Sequence, residues 1–367
     1  MFGSTFKNKK VLITGHSGFK GSWLSIWLNY LGANVFGLSD TVVSEPSNYL
    51  ASQIPDFVND LKVDIRNSDR VKSLINEIQP DFIFHLAAKA LVKHSYENPI
   101  DTFTSNVIGT INILNALRNI DKKIITVMIT SDKVYDNVEW QWGYRENDKL
   151  GGKDPYSASK GMAELAIRSY VNSFHNSTDP NIRIAVARAG NVIGGGDWAA
   201  DRIVPDCMVA WANDKTVNIR SPHSTRPWQH VLEPLSGYLC LAKNLDLNSN
   251  YHGEAYNFGP SADQNYSVCE LINEMSKYWN KINWKDVSKN SDHIHEASLL
   301  KLNCDKALFD LKWTSTLQFH ETVKMTIEWY KEFYQNKPKS MYDFTISQIN
   351  SYNKLAKERN VSWVNND

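Results

Sequence analysis

Short apolar runs alternate with amphipathic segments along the first half of the 367-residue chain. The runs are nearly continuous in apolar residues, as in the strands of a parallel sheet that helices cover on both faces. The predicted strands span residues 10–14, 34–40, 81–88, 122–130 and 182–190. The predicted helices span residues 19–32, 68–79, 100–119 and 155–175. This alternation predicts an α/β fold with a doubly wound parallel (Rossmann) sheet.

The regular alternation ends near residue 190, and the following sequence is richer in loop residues. We predict that residues 1–190 form the Rossmann domain and that part of 227–258 returns to it. Residues 191–340 are predicted to form a smaller mixed domain for the substrate, and 341–367 a helical tail. Within the tail, apolar residues at intervals of three and four predict an amphipathic helix over 341–357.

Composition and charge argue against several classes of function. Lys plus Arg and Asp plus Glu each number 40, so nucleic acid is not expected as a partner. No apolar run has the length of a transmembrane helix and the N-terminus has no signal-peptide core, which predicts a cytoplasmic protein without membrane association. The four cysteines are widely spaced, so neither a metal site nor a redox pair is predicted.

A glycine-rich turn follows the first predicted strand and opens the first helix. Gly15, Gly18 and Gly21 have the spacing G-x-x-G-x-x-G, which lets backbone N–H groups approach a pyrophosphate at a helix N-terminus. A dinucleotide cofactor is therefore predicted. Asp40, at the end of the second strand, can accept hydrogen bonds from the adenosine ribose. Because no Arg occurs between Asp40 and Asp64, NAD is favoured over NADP.

Further residues are expected around this cofactor. Asp64 follows the next strand, where it can reach the adenine or remain a surface carboxylate. Lys20 can lie near the phosphates or remain solvated. The predicted cofactor-binding set also includes Phe19 in the glycine-rich segment, Ile65 beside Asp64, and Ala87 where the cofactor would cross the end of a further strand. Tyr156 and Lys160, further along the chain, belong to the same set.

Two groups of residues carry candidate chemistry. Tyr156 and Lys160, in the segment YSASK, lie four apart at the start of a predicted helix and share one face. The lysine ammonium is expected to lower the pKa of the phenol below its usual value of about 10. Such a tyrosine can take a proton from a sugar hydroxyl while hydride leaves the same carbon. The second group, Ser131, Asp132 and Lys133, lies at the tip of the preceding strand.

A set of longer motifs resembles the extended short-chain dehydrogenase/reductase family, and within it the CDP-glucose 4,6-dehydratases. The motifs, between residues 14 and 239, are TGHSGFKGSWLS, TSDKVYDN, GYRENDKLGGKDPYSASKG, ARAGNVIGGGDWAADRIVPD and RPWQHVLEPLSGYL. The segment HEASLLKLNCDKA extends the similarity towards residue 307. One departure is Lys89 in HLAAKALV, where the resemblance predicts Gln. That exchange can alter contacts near the cofactor or the sugar.

The resemblance implies an internal redox dehydration by an NAD-dependent lyase of deoxysugar biosynthesis, such as that of lipopolysaccharide O-antigen. Tyr156 would deprotonate the C4 hydroxyl, Ser131 would hydrogen-bond the C4 oxygen, and hydride would pass to NAD. The C5 proton and C6 hydroxyl would then leave, and hydride would return to C6. Asp132 would be the acid for the leaving hydroxyl. Lys133 would be either the base for C5 or a cation that stabilises the enolate. A simple Asp132–Lys133 ion pair stays open as the alternative.

Cationic groups after residue 190 are candidates for holding the substrate. Asn191, Arg202, Arg220 and Arg226 could bind its pyrophosphate and base, because the planar guanidinium donates two hydrogen bonds to a phosphate at once. Each Arg could instead be a surface ion-pair partner, and the resemblance favours Asn191, Arg202 and Arg226. His295 is a candidate near the nucleotide, and it is not expected to bind metal. The cytosine base rests on the resemblance alone.

Two other functions remain open, and both use the same scaffold. A nucleotide-sugar 4-epimerase would need Tyr156 and NAD but no acid and base at the strand tip. A catalytically silent NAD-binding protein would need neither Tyr156 nor the acid and base, so the intact Tyr156, Lys160, Ser131 and Asp132 argue against it. In each case the long helices 100–119 and 155–175 carry apolar residues on more than one face, which predicts a homo-oligomer, either a dimer or a tetramer.

Overall fold

A computed structural model describes residues 2–288 and 299–365. The strands, in chain order, are β1 (Lys10–Thr14), β2 (Asn34–Ser39), β3 (Asn59–Lys62), β4 (Phe82–His85), β5 (Ile124–Ile129), β6 (Ile182–Arg188), β7 (Val192–Ile193), β8 (Val217–Ile219), β9 (Thr225–Arg226), β10 (Gln229–His230), β11 (Ala255–Asn257), β12 (Tyr266–Ser267) and β13 (Trp284–Asp286). The helices are α1 (Phe19–Tyr30), α2 (Asn48–Ala51), α3 (Ser68–Ile78), α4 (Val92–Glu97), α5 (Pro99–Phe103), α6 (Gly109–Leu117), α7 (Pro155–Phe174), α8 (Ile203–Ala212), α9 (Leu232–Leu247), α10 (Val268–Met275), α11 (Asp305–Leu311), α12 (Phe319–Lys331), α13 (Tyr342–Glu358) and α14 (Ser362–Asn365).

Seven parallel strands form the central sheet, in the order β3-β2-β1-β4-β5-β6-β11. The register places Val11 of β1 opposite Val35 of β2 and Phe82 of β4. The chain reverses its direction of winding between β1 and β4. In a doubly wound sheet, ligands bind beyond the carboxyl ends of the strands at such a point. The predicted fold class is confirmed, and this edge of the sheet is where the site should lie.

The sheet also takes elements from beyond residue 190. Helix α9 packs against β5 and β6, and β11 pairs with β6 through Ala255 and Val186. Nearly every position of α9 is buried, including polar ones such as Glu233 and Ser236. A helix buried all round lacks the apolar stripe of an amphipathic one, so the sequence pattern did not predict it. The division of the chain into domains stays a prediction.

The C-terminal segment packs on the first helix of the sheet domain. The tail prediction of a helix over 341–357 matches α13, which lies against α1 and buries Ile349 and Tyr352 completely. Near both chain ends, the ring of Phe2 stacks on Trp363 with 5.4 Å between centroids. These contacts join the two ends of the chain on the side of the sheet that α1 covers.

The predicted long helix over 100–119 is divided by a π-helical turn. Helix α5 ends at Phe103, Thr104–Ile108 form the wider turn, and α6 continues to Leu117. Such π turns frequently occur at functional sites. Here the turn carries Asn106, whose side chain reaches the loop after β4.

Candidate active site

The glycine-rich turn lies where the ends of β1 and β4 meet. Gly15 has φ +75°, and a Cβ there would lie 2.8 Å from the backbone of Ala87. A Cβ on Gly21 would lie 2.1 Å from the carbonyl oxygen of Gly15, so both positions require glycine. Gly18 is the N-cap of α1, and the Phe19 ring lies against Gly194. The turn therefore brings backbone N–H groups and a helix N-terminus together, which fits a dinucleotide pyrophosphate.

His16, inside this turn, was not singled out from the sequence. Its ring fills the space above Gly37, where a Cβ would lie 2.2 Å from the imidazole. The ring nitrogens hydrogen-bond Ser39 at 3.0 Å and Asp60 at 2.7 Å. Burial lowers the pKa of His16, and the Asp60 carboxylate partly opposes that effect. His16 therefore joins β1 to β2 and β3 beneath the cofactor-binding turn.

The residues predicted for the adenosine end lie on the adjoining strand ends. Asp40 is half-buried just after β2. Both carboxylate oxygens of Asp64 already accept hydrogen bonds from Arg66, at 2.6 to 3.0 Å, and these bonds lower the pKa of Asp64. Arg66 also donates to Asp101 at 2.6 Å. Ile65 is buried between these two residues and the sheet. Arg66 is thus occupied by two carboxylates, which agrees with a ribose that carries no 2′-phosphate.

Lys89 is held through its backbone by the π turn. Its N–H donates to Asn106 Oδ1 at 2.8 Å, and its carbonyl accepts from Asn106 Nδ2 at 3.1 Å. The same amide of Asn106 donates to Ser159 Oγ on α7 at 2.9 Å. The Lys89 ammonium lies 3.8 Å from Asp101. The charge of Lys89 therefore lies beside Asp101, and Asn106 fixes the loop after β4 relative to α7.

The tip of β5 places Ser131 and Asp132 in the interior. Ser131 Oγ donates to Asp132 Oδ1 at 2.9 Å, and Asn191 Nδ2 donates to Oδ2 at 3.2 Å. A Cβ on Gly190 would lie 1.9 Å from Oδ2, so the carboxylate fills the space beside that glycine. Lys133 is exposed, and the ion pairs of residues 2–288 and 299–365 do not include one between Asp132 and Lys133. The structure therefore contradicts the alternative of a simple Asp132–Lys133 ion pair.

Tyr156 and Lys160 share the buried face of α7. The helix begins at Pro155, and its N-cap Asp154 accepts a hydrogen bond from the Ser157 backbone at 3.0 Å. Burial raises the pKa of Tyr156 to about 12, although a hydrogen bond with Ser131 and the charge of Arg202 oppose the rise. The prediction that this pKa lies below its usual value is wrong. Desolvation disfavours the phenolate more than the surrounding cations favour it.

Lys20 joins the catalytic groups as an additional cation. Its ammonium lies 3.5 Å from Tyr238 Oη, and it interacts electrostatically with Arg202, Asp132 and Lys160. Burial lowers the pKa of Lys20 to about 8, with a contribution from Arg202. Lys20 is half-buried and its ammonium faces Tyr238, and its role near the phosphates stays a prediction. Lys20, Lys160 and Arg202 thus lie near the carboxylates of Asp132, Glu164 and Asp197. These three cations are suited to phosphates and to negative charge that develops on a sugar oxygen.

A cavity opens beside Asp132, Gly190 and Asn191. Asn191, Gln229, Gln264 and Lys301 supply polar groups to its wall. Asn191 was predicted for the substrate, whereas the other three were not singled out. Arg202 faces the catalytic groups and donates to Asp197 at 2.7 Å.

Arg220 and Arg226 lie outside that cavity wall. Arg220 is 3.7 Å from Asp201, and Arg226 donates to the Thr225 carbonyl at 2.8 Å. His295 lies outside the described residues, so the structure does not bear on it. In the part of the chain that the structure describes, no cluster of three His, Cys, Asp or Glu residues could hold a metal ion. No described helix is long and apolar enough to span a bilayer.

Comparison with known proteins finds relatives among nucleotide-sugar dehydratases and epimerases. The family model described as GDP-mannose 4,6 dehydratase matches residues 12–326. CDP-glucose 4,6-dehydratase of Salmonella typhimurium is 43% identical over 330 residues, covering 89% of this chain and 91% of that protein. UDP-glucose 4-epimerase of Mycoplasma pneumoniae is 25% identical, covering 89% and 97%. The solved structure of dTDP-glucose 4,6-dehydratase from Bacillus anthracis in complex with NAD superimposes with a TM-score of 0.72 at 20% identity, covering 88% and 97%. The chain therefore belongs to the GDP-mannose 4,6-dehydratase family of extended short-chain dehydrogenases/reductases.

Proposed function

We propose that this protein is an NAD-dependent nucleotide-sugar 4,6-dehydratase that converts CDP-glucose to CDP-4-keto-6-deoxyglucose. One observation carries the proposal: Asp132 is buried against Ser131, Asn191 and Gly190, within the electrostatic reach of Tyr156. A simple oxidoreductase or epimerase has no use for a carboxylic acid at that place. The substrate assignment is supported by the 43% identity with the Salmonella CDP-glucose 4,6-dehydratase.

The proposed roles follow from the positions of the side chains. Tyr156 takes the proton of the C4 hydroxyl, and Ser131 steadies the C4 oxygen. When bound, NAD would supply a hydride acceptor for C4 and a hydride donor for C6, and the positive charge of its oxidised ring would favour the phenolate. Asp132 protonates the C6 hydroxyl as it leaves. These steps need Tyr156 and Asp132 close to the same sugar ring, and both side chains hydrogen-bond Ser131.

Lys133 is proposed to act on C5 from the rim of the site. Its side chain is exposed, in contrast to its neighbour Asp132. An exposed lysine at the rim can take the C5 proton as the neutral amine or, as the ammonium, stabilise the enolate that forms when the proton leaves. Both roles use the acidity that the C4 ketone gives to C5.

The phosphates of NAD and of the sugar nucleotide are proposed to bind close to the cations Lys20 and Arg202. NAD occupies the turn at Gly15, with its adenosine ribose at Asp40. Arg202 and Lys20 lie within electrostatic reach of each other, and Lys20 also of Asp132; there they can bind the diphosphate of the sugar nucleotide. Asn191 borders the sugar. Arg220, Arg226 and His295 stay predictions for the nucleotide end.

An activity assay distinguishes the proposal from its two alternatives. The protein is incubated with NAD and with one of CDP-glucose, UDP-glucose or dTDP-glucose at a time, and the products are analysed by mass spectrometry and NMR. A product lighter by one water from CDP-glucose supports the dehydratase. An isomer of unchanged mass supports the epimerase, which the 25% identical Mycoplasma protein represents. If none of the three sugar nucleotides gives a product, the result supports a catalytically silent NAD-binding protein.

The same proposal includes a homo-oligomer formed through the helices beside the site. Helices α5, α6 and α7 pack side by side. Their outer surface exposes large apolar side chains: Ile100 is 73% exposed, Leu165 56% and Met162 48%. A helix face of this kind is typical of a subunit interface. Whether the assembly is a dimer or a tetramer stays open, as does a cytoplasmic location.

Light scattering after size-exclusion chromatography tests the oligomer. The wild-type protein should elute as a dimer or larger, and Leu165→Arg should shift the mass towards the monomer. Phe309→Arg is the matched control, because Phe309 is 76% exposed on α11, away from these helices. A monomeric wild type, or equal effects of both substitutions, would contradict the proposed interface.

A further inference from the structure

A buried ion pair lies directly behind the reactive groups and has no part in the chemistry described so far. Glu164 is 5% exposed and Arg188 is 3% exposed. Arg188 Nε donates to the two carboxylate oxygens at 2.8 and 3.1 Å, and Nη2 makes a further bond to the same carboxylate. Among the described residues, no other ion pair has both side chains less than 10% exposed.

The pair joins the chain segments that carry the catalytic side chains. Thr130, the residue before Ser131, donates to Glu164 Oε1 at 2.6 Å. Arg188 Nη1 donates to Tyr135 Oη at 2.7 Å, and Tyr135 donates to Asn257 on β11 at the same distance. The carboxyl ends of β5, β6 and β11 are thereby fixed to α7. A displacement of Glu164 would move the tip of β5 relative to that helix.

Glu164 also lies on the catalytic face of α7. Tyr156, Lys160 and Glu164 follow one another at intervals of four, which places them in a row on one side of the helix. Lys160 is surrounded by groups that disfavour its charge. Burial and the ammonium of Lys20 on α1 lower the pKa of Lys160 to about 8, and Glu164 is the group that opposes them. His85 on β4 faces Lys160 too, and burial lowers its pKa to about 3, so it stays neutral.

Stability alone does not account for this arrangement. Two buried charges lose their hydration, and well-packed apolar residues at such places are often as stable or more so. Apolar residues, however, could neither hold the Thr130 hydroxyl nor supply negative charge beside Lys160.

We propose that Glu164 is a positioning residue for the dehydration: together with Arg188 it fixes the tip of β5 against α7, and from the same face of α7 its charge favours the ammonium form of Lys160 beside Tyr156. This inference rests on the proposed function for its kinetic consequence. Its electrostatic part concerns the chain alone and can be tested without substrate.

The direct test is the titration of Lys160 in protein labelled with ¹³C-lysine, followed by NMR and assigned with Lys160→Arg. Glu164 favours the charged lysine, so Glu164→Gln should lower the titration midpoint of Lys160 by about half a pH unit or more. Activity that needs the charged lysine is lost as pH rises through that midpoint. The alkaline limb of the pH–kcat profile should therefore move to lower pH by the same amount, with KM for CDP-glucose little changed.

Three variants separate charge from structure. Glu164→Asp keeps the carboxylate and should restore the wild-type midpoint. Thr130→Val removes one hydrogen bond and no charge, so kcat should fall while the midpoint stays. Glu233→Gln removes a buried carboxylate of α9 that bonds Thr316 and Leu317, and it should leave both measurements at wild-type values once the protein is folded.

The outcomes are distinct even where a variant is unstable. If Glu164→Gln does not fold, the double variant with Arg188→Met removes the unpaired buried cation, and the midpoint should still be lowered because Arg188 is not among the groups that act on Lys160. An unchanged Lys160 midpoint in either protein would overturn the proposal. If Glu164→Gln lowers the Lys160 midpoint but the wild-type protein makes no product from CDP-glucose, the proposed function is refuted and the electrostatic role of Glu164 stands.

Discussion

A methyl group on Gly190 should separate the oxidation of the sugar from the loss of water. An ideal Cβ at this position would lie 1.9 Å from Asp132 Oδ2 and 2.0 Å from its Cγ. Non-bonded carbon and oxygen atoms pack at about 3.5 Å, so the carboxylate must move by more than about 1 Å. Misplacement of a catalytic group by about 1 Å can cost roughly 10²-fold in rate. We therefore expect Gly190→Ala to lower product formation about 10²-fold.

The assay follows NADH and product in the same single-turnover experiment. Oxidation at C4 depends on Tyr156 and the cofactor, so enzyme-bound NADH should form and then persist in Gly190→Ala. Gly161→Ala is the matched control: its added Cβ meets no atom closer than 3.6 Å, in the interior of α7 where Ala is favoured over Gly. That variant should turn over like the wild type. Product formation by Gly190→Ala within a few-fold of wild type would refute the placement of Asp132 as the acid.

Four other substitutions test the remaining roles. Tyr156→Phe should lower kcat by about 10²–10⁴-fold, the usual scale for the loss of a positioned acid–base group. The NAD affinity of this variant, measured by calorimetry, should be unchanged. Activity within a few-fold of wild type would remove Tyr156 from the mechanism. Asp132→Asn and Lys133→Met should both accumulate bound NADH, and exchange of the C5 hydrogen with deuterated solvent should fall further in Lys133→Met if the amine is the base than if it only stabilises the enolate. Asp40→Ala should weaken NAD binding, measured by calorimetry, because the ribose hydroxyls lose their acceptor; equal affinity would show that the ribose binds elsewhere.

Local features of the sheet and of the cofactor turn could be predicted from the sequence. The glycine spacing that begins at Gly15 and the Tyr156–Lys160 pair each lie within one short segment, and the apolar strands are read directly from the pattern. Because parallel strands end at one edge, it also follows that Ser131 and the glycine turn come close together.

Features that depend on distant parts of the chain could not be predicted. Glu164 and Arg188 meet only because α7 packs across β6, and neither lies in a segment whose spacing indicates a partner. Lys301 reaches the cavity from a segment whose pattern gives no position relative to the sheet. The pKa of Tyr156 was predicted in the wrong direction because the sequence gives the neighbouring cation but not the extent of burial.

The most direct test of the proposed dehydration is the fate of the hydrogen on C4. CDP-glucose deuterated at C4 is converted with catalytic NAD, and the product is analysed by NMR and mass spectrometry. We expect one water to be lost, the deuterium to appear at C6 of the 4-keto-6-deoxy sugar, and NAD to be recovered unchanged. Deuterium that remains at C4 of an epimerised sugar, or NADH that accumulates in step with product, would contradict the internal hydride transfer on which the proposed function depends.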